Sequence, residues 1–197
     1  MIGTVLKEVR AEYGWGQKVI ACFASVSGSL VKEWEKGRRR ITEKHKSVLA
    51  KTMDDGRFYL ALARDATGGP FAPAWLDNAE EHRLVFAHAA ISEMENAVAA
   101  TRSALPVLMM LPDAAVDEQQ EAVRNALVEL ASAVTMSENL SARLARLYGI
   151  SLVDVWDETE TRLVERGQLK PKETNKKKSR LKAAGLMISQ LLSYHRR

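Results

Sequence analysis

The chain has 197 residues, of which 46% are hydrophobic, and this suits one or two folded domains. A single cysteine excludes an internal disulfide framework and a cysteine-rich zinc site, and no apolar run approaches the roughly 20 residues that span a bilayer. The net charge of +4 is uneven: residues 1–50 hold 10 Lys and Arg against 5 Asp and Glu, residues 51–160 hold 8 against 18, and residues 161–197 hold 11 against 2. The basic ends suit a polyanion, which the acidic middle would repel.

Five short helices are predicted at the start of the chain, in a first domain over residues 1–66. Helical spacing of apolar residues places them at about 3–14, 17–23, 28–36, 43–54 and 58–65. Gly37 is expected to end the third helix, because glycine adopts the left-handed conformation without penalty.

A glycine- and proline-rich stretch, ATGGPFAPAW, predicts a linker over residues 67–78. Beyond it, a helical oligomerisation domain is predicted over residues 79–168. Its helices are expected at about 78–104, 116–147 and 152–166, with Pro106 interrupting the first. No stretch sustains strand alternation, so the sequence predicts an all-α fold: a five-helix N-terminal domain, a C-terminal helical bundle and a tail helix.

Residues 169–197 form the predicted tail, a basic linker followed by an amphipathic helix. The basic KPKETNKKKSRLK segment is compatible with nonspecific binding to DNA backbone and with a solvated linker. The tail helix is compatible with packing on the helical domain, pairing with another copy, or binding a partner protein. MIGTVLKEVR lacks the long apolar region of a signal peptide, so we expect a cytoplasmic protein with no membrane partner.

The stretch 17–36 has the pattern of two short helices that cross over a shared core. Its apolar positions include Ile20, Ala24, Val26, Val31 and Trp34. The remaining side of the second helix is polar, and carries Ser27, Gly28, Ser29, Lys32, Glu33 and Lys36. Short polar residues followed by charged ones suit a helix that enters a DNA major groove about 12 Å wide.

This stretch resembles the helix-turn-helix of the phage Cro and repressor proteins, the XRE family. The resemblance to that family extends over residues 2–65. The motif residues are Leu6 to Arg10, Gln17 opening the second helix, and Glu35-Lys36-Gly37 closing the third. The resemblance implies five short helices. Ser25 departs from it, since the family has glycine in the turn, and a slightly altered backbone is expected there. Gly28 also departs, at a position where a side chain often contacts a base.

The resemblance further implies a dimeric, sequence-specific transcriptional regulator that binds double-stranded DNA, with repressor action of phage or mobile-element type. The implied base contacts are Ser27, Gly28, Ser29, Lys32 and Glu33. The implied phosphate contacts are Gln17, Lys18, Lys36, Arg38, Arg39 and Arg40. No catalytic residue, metal site or cofactor is expected. The alternative is a helical bundle in which Lys32 and Glu33 are a solvated face and the arginines only aid solubility. Cys22 is expected to be a small core residue.

Part of the acidic middle, residues 79–168, is similar to the MazG-like nucleotide pyrophosphohydrolases. The similarity lies in LARLYGISLVDVWDETETRLVERG and, upstream, in SEMENAV. That family binds magnesium through E-x-x-E and E-x-x-D pairs, which put carboxylates on one helical face. Glu93 and Glu95 are two residues apart and point apart, and no E-x-x-D follows Glu118 and Glu121. These carboxylates, with Asp154 and Asp157, are therefore interpreted as a solvated face.

The apolar stripe of the second long helix has to be buried, and two or three long helices rarely bury everything alone. The sequence therefore predicts a homodimer or a higher homo-oligomer. Two alternatives to the regulator remain: a MazG-like pyrophosphohydrolase fused to a DNA-binding domain, and an antitoxin-like regulator that binds a protein partner.

Overall fold

The computed structural model describes residues 2–69, 72–79, 82–110 and 116–171, and within these ranges the chain is helical with no strand. The all-α prediction is confirmed. The helices are α1 (Ile2–Glu12), α2 (Gln17–Ala24), α3 (Gly28–Glu35), α4 (Glu43–Met53), α5 (Gly56–Thr67), α6 (Arg83–Leu108), α7 (Asp117–Tyr148) and α8 (Leu152–Glu165). The chain divides into two compact units, Met1–Val155 and Trp156–Arg197. The predicted tail helix lies outside the described residues.

Helices α1–α5, here called the N-terminal helical region, enclose one apolar core. Its most deeply buried side chains have no solvent exposure, and they are Leu6, Val9, Ile20, Val31, Leu49 and Phe58. Gly3 allows α1 to approach the end of α3, since a Cβ there would lie 1.9 Å from the carbonyl oxygen of Trp34. Gly37 ends α3 with a φ of 68°, as predicted.

The turn between α2 and α3 contains a serine in the left-handed conformation. Ser25 has φ 53° and ψ 48°, and the N–H of Val26 donates to the carbonyl oxygen of Ala21 at 2.9 Å. The backbone therefore keeps the conformation that favours glycine, with serine in its place.

Helix α5 packs directly on α7. A Cβ on Gly56 would lie 2.2 Å from the Cβ of Ala142, so only glycine permits this approach. The buried carboxylate of Asp55 caps α5 by accepting from the N–H of Phe58 at 2.9 Å. The same carboxylate accepts from Arg146 of α7 at 2.5 Å and from the Tyr13 hydroxyl at 3.1 Å, which ties α1, α5 and α7 together.

Residues 72–78, which belong to the expected linker, are fixed to α7. Asn139 is fully buried; its amide nitrogen donates to the carbonyl oxygen of Ala74 at 2.7 Å, and its oxygen accepts from the N–H of Leu76 at 2.9 Å. The Trp75 ring lies against the Arg143 guanidinium, 4.7 Å from the ring centroid.

Helices α6 and α7 form an antiparallel hairpin, with Phe86 near the start of α6 lying against Arg143 near the end of α7. The prediction that Pro106 interrupts α6 is wrong, since the helix continues to Leu108. Proline removes a single hydrogen bond there, and the N–H of Met109 still donates to the carbonyl oxygen of Leu105 at 3.2 Å.

The start and end of α8 follow the sequence signals. The Ser151 hydroxyl accepts from the N–H of Asp154 at 3.2 Å, as expected of an N-cap, and Gly149 ends α7 with a φ of 63°. The expectation for Cys22 is wrong: its side chain is exposed on α2, and Ile20, Ala21 and Ala24 are buried in its place. In the described part of the chain, no helix combines the length and apolar character that a membrane span requires.

Candidate nucleic-acid interface

Helix α3 has one buried side and one open side, as its sequence predicts. Val31 is fully buried and Trp34 is 2% exposed, so this side faces the apolar core. Ser27, Ser29, Lys32 and Lys36 are exposed on the other side. A short helix is therefore held firmly by its apolar side and presents small polar and basic side chains to solvent.

The N-terminus of α3 is built from residues that occupy little space. Ser27 caps the helix, its hydroxyl accepting from the N–H of Leu30 at 3.3 Å and lying 2.8 Å from the Ser29 hydroxyl. Apart from the adjacent residues and the backbone of α3, no atom of the described residues lies within 4 Å of the position that a Gly28 Cβ would take, so that position is open. Free N–H groups at a helix start attract anions, and a narrow end lets the backbone come close to a ligand.

One of the charged residues further along α3, Glu33, lies near a cation of the same chain. Glu33 lies 3.7 Å from Arg38, and both side chains remain substantially exposed. Lys32 and Lys36 are exposed beside them. The structure therefore leaves Lys32 open toward solvent, whereas Glu33 has a cation that competes with any contact to a base.

The three consecutive arginines follow α3 directly, and all three are exposed. Arg39 and Arg40 line an open cleft of about 630 Å³ beside the end of α3, together with Lys46. Lys46 is paired with Glu43 at 2.7 Å and with Asp65 at 2.6 Å. The cleft thus combines a basic rim with carboxylates that already have a cation.

The structure brings three of the motif residues, Arg10, Gln17 and Glu35, into one partly buried cluster. Two guanidinium nitrogens of Arg10 donate to the carboxylate of Glu35, at 2.5 and 2.9 Å, and the amide nitrogen of Gln17 donates to it at 2.8 Å. The Glu35 side chain is only 4% exposed. These contacts join α1, α2 and α3 and fix the angle at which α3 is presented. The Gln17 amide, a predicted phosphate contact, points into this cluster, while Lys18 beside it is exposed.

The electrostatics of the cluster keep Glu35 ionised. Burial alone would raise the pKa of Glu35, but the hydrogen bonds from Arg10 and Gln17 lower it below its usual value. The Glu35 carboxylate likewise raises the pKa of the Arg10 guanidinium. The sequence did not predict this cluster, because Arg10 and Glu35 lie 25 positions apart and show no local pattern. The sequence indicated only that all three residues belong to the helix-turn-helix motif.

Among the described residues of the middle region, most acidic side chains are exposed. Glu95, Glu121, Asp154 and Asp157 are exposed, and Glu93 is half-buried beside Thr135 and Met136. Across residues 2–69, 72–79, 82–110 and 116–171, no three carboxylate, histidine or cysteine side chains are placed to hold a metal ion.

Comparison with known proteins gives no match: neither a family model, nor a curated protein, nor a solved structure is significantly similar to this chain.

Proposed function

We propose that this protein is a sequence-specific DNA-binding transcriptional regulator of the helix-turn-helix kind, acting as a dimer, with repression as its mode. The observation that carries the proposal is the open side of α3, which is small and polar at its start, basic further on, and opposed to a fully buried side. This is the shape that a recognition helix needs in a major groove.

Within this proposal the residues divide into two groups with different effects. Lys32 and Ser29 contact base edges and determine sequence preference, since a lysine can donate to guanine O6 and N7. Lys18, Lys36 and the exposed arginines at 38–40 contact phosphates, which fixes the position of the protein but carries no sequence information. The buried Arg10–Glu35 pair holds α3 at the angle at which both groups reach DNA together.

Selection of bound fragments from random duplex DNA by the full-length protein tests the proposal. We expect enrichment of one sequence with two related half-sites about one helical turn apart. Failure to enrich any sequence, together with no gel shift of any duplex at low salt, would contradict the function.

Three variants separate base contacts from phosphate contacts. Lys32→Ala should change the selected sequence at one position in each half-site, with a loss of about 1–3 kcal/mol on the original site. Arg39→Ala should weaken all sequences alike and reduce the dependence of log Kd on log salt by about one per bound subunit. Lys51→Ala removes an exposed lysine of α4 and should change neither.

A further inference from the structure

The α6–α7 hairpin is held together by alanines. Ala90, Ala97 and Ala104 recur every seven residues on α6, and Ala126 and Ala133 do so on α7; all are at most 7% exposed. A seven-residue repeat keeps one row of side chains on one side of a helix. The small side chains let the two helices approach closely, so the large apolar residues of the hairpin are left for other contacts.

Those large residues form a second row on each helix, at alternating spacings of three and four. Here the two rows together are called the apolar face. On α6 the row is Leu84, Ala87, Ile91, Met94, Val98, Thr101, Leu105 and Leu108, and on α7 it is Val123, Leu127, Leu130 and Val134. Most of the large members are exposed to a degree unusual for such residues, for example Leu84 at 59%, Ile91 at 46% and Leu127 at 62%.

Both rows lie on the same side of the hairpin. On each helix the apolar row is shifted by one residue from the alanine row, as Ile91 follows Ala90 and Leu127 follows Ala126. One residue turns a row by about 100° around the helix axis. The alanine rows of α6 and α7 face each other. Because the two helices are antiparallel, a rotation of about 100° from the alanine row points to the same side of the hairpin on both helices, so the two apolar rows form one common face, two helices wide.

We propose that a second copy of this chain covers the apolar face, completing an antiparallel four-helix bundle. The two-fold axis runs perpendicular to the helices, so that α6 packs on α6 of the partner subunit and α7 packs on α7. A face two helices wide with this spacing is what a four-helix bundle buries. The inference specifies the dimer of the proposed function, but it needs no DNA and can be tested without it.

Charges along the edge of α6 support a second copy in this orientation. Glu95 and Arg102 lie seven residues apart, next to the apolar row on the side away from α7. When two α6 helices run antiparallel about a point near Val98, Glu95 of each copy meets Arg102 of the partner subunit. Charges in this flanking position set the choice and orientation of partners in helical bundles.

Helix α7 also carries two opposite charges beside its apolar row. Arg124 and Glu138 flank its apolar row and lie equally far from Ala131, so an antiparallel α7 pair brings Arg124 against Glu138 of the partner subunit. Among the described residues no cation lies against Glu138, and burial raises the pKa of its carboxyl group. The Arg124 side chain is 74% exposed, and it forms an ion pair with Glu121 of its own helix at 3.3 Å.

A single two-fold axis brings together the complementary charges of both helices. The contact of Phe86 with Arg143 fixes the register of the hairpin. Val98 and Ala131 are equally many residues from that contact, so at a rise of 1.5 Å per residue they lie at the same height along the helix axes to within about 2 Å. The other two-fold arrangement, with its axis parallel to the helices, packs α6 on α7. It would bring Arg102 toward Arg124 of the partner subunit, and Glu95 toward Glu138 of the partner subunit, so like charges oppose it.

The geometry also agrees with the proposed DNA site, on which this one step rests. Helix α5 begins against Ala142, which lies about 16 Å along α7 from the two-fold axis at 1.5 Å per residue. The two α5 helices are then separated by about 33 Å along the bundle, comparable to the roughly 34 Å between successive major grooves on one side of DNA.

Paired charge reversals in the full chain test the arrangement. The mass in solution, measured by sedimentation over a range of concentrations, should rise with concentration from the 21.9 kDa of the monomer to twice that value, the mass of the dimer. Arg124→Glu and Glu138→Arg should each raise the dimer dissociation constant about tenfold, since each places two like-charged pairs in the dimer. An equimolar mixture of the two variants should form a heterodimer about as tight as the original dimer, because every pair is then complementary.

The possible outcomes separate the occupants of the apolar face. A chain that stays monomeric at all concentrations overturns the proposal and leaves the tail or another protein as the occupant. Tighter association of Arg124→Glu alone overturns the perpendicular axis. A mixture no tighter than the single variants overturns the antiparallel pairing. Ile91→Glu should abolish the dimer while its helix content, measured by circular dichroism, stays unchanged, because Ile91 is 46% exposed within one chain.

These measurements are distinct from the test of DNA binding. A chain that dimerises as proposed but selects no DNA would contradict the proposed function alone. A monomer that selects single half-sites would contradict the dimer alone.

Discussion

The N-terminal helical region and the α6–α7 hairpin bury different kinds of side chain. The first encloses Leu6, Ile20 and Phe58, each without solvent exposure, inside five short helices. The second encloses mainly alanine and leaves large apolar side chains such as Leu84 and Leu127 more than half exposed. One region completes its core within a single chain, while the other keeps its most apolar surface open, and the predictions below test this difference.

The largest expected effect contrasts a core residue of the N-terminal helical region with a residue of the apolar face of the hairpin. Phe58→Ala should lower the free energy of unfolding by about 4 kcal/mol, because it removes a fully buried ring and leaves a cavity. Ile91→Ala should cost the monomer less than about 1 kcal/mol, since its side chain is already half exposed. Urea unfolding at a protein concentration well below the dimer dissociation constant measures both, and equal losses would mean that the hairpin has a core of its own.

A buried ion pair distinguishes the N-terminal helical region further. Glu35→Gln should destabilise that region by about 3 kcal/mol at pH 7, because Arg10 is left without its carboxylate. The side chain of Glu43 is 84% exposed, so Glu43→Gln is the matched control, with an expected change below about 0.5 kcal/mol. A loss no larger than that of the control would show that the cluster does not hold α3 in place.

The same carboxylate predicts a dependence on pH. The pKa of Glu35 is lower in the folded protein than in the unfolded chain, where a glutamate has a value of about 4.3. Its contribution to stability is therefore complete above that value and is lost as the pH falls through the lower, folded pKa. Urea midpoints of the original protein should drop below about pH 4, whereas those of Glu35→Gln should drop less. Parallel profiles would contradict this assignment.

The contact between the two regions depends on one glycine. Gly56→Ala would place a methyl group 2.2 Å from the Cβ of Ala142, so α5 and α7 must move apart, at an expected cost of about 2 kcal/mol. Gly28→Ala is the control, since no atom lies within 4 Å of the new methyl group. Thermal unfolding followed by tryptophan fluorescence compares the two. A neutral result for Gly56→Ala would show that α5 does not pack on α7 this closely.

Local patterns predicted the helices well, because apolar spacing, Gly37, Gly149 and the Ser151 cap all act within a few residues. Contacts between distant segments could not be predicted in this way. The Arg10–Glu35 cluster, the Asn139 contacts with residues 74–76 and the close approach at Gly56 each depend on how helices pack, which spacing along one helix does not reveal.

The candidate site shows the same division between local and distant information. Periodicity alone identified the open side of α3, because Val31 and Trp34 mark the opposite side as buried. Periodicity could not show that the Gln17 amide is held by Glu35, or that Glu33 lies near Arg38. In the hairpin, the apolar stripe indicated association, but the two separate rows became visible only when the structure showed which residues face the other helix.

The smallest expected effect concerns two serine-to-glycine substitutions, one in the turn before α3 and one inside α3, which should change stability in opposite directions. Ser25→Gly should stabilise the N-terminal helical region by about 0.5 kcal/mol, because relief of a left-handed conformation at φ 53° outweighs the greater freedom of glycine in the unfolded chain. Ser29→Gly should destabilise it by a similar amount, because Ser29 lies inside α3 and glycine is a poor helix former. Urea midpoints of the two variants measure this difference directly. If both substitutions destabilise, the turn between α2 and α3 does not hold Ser25 in the left-handed conformation, and the backbone in the folded protein avoids it.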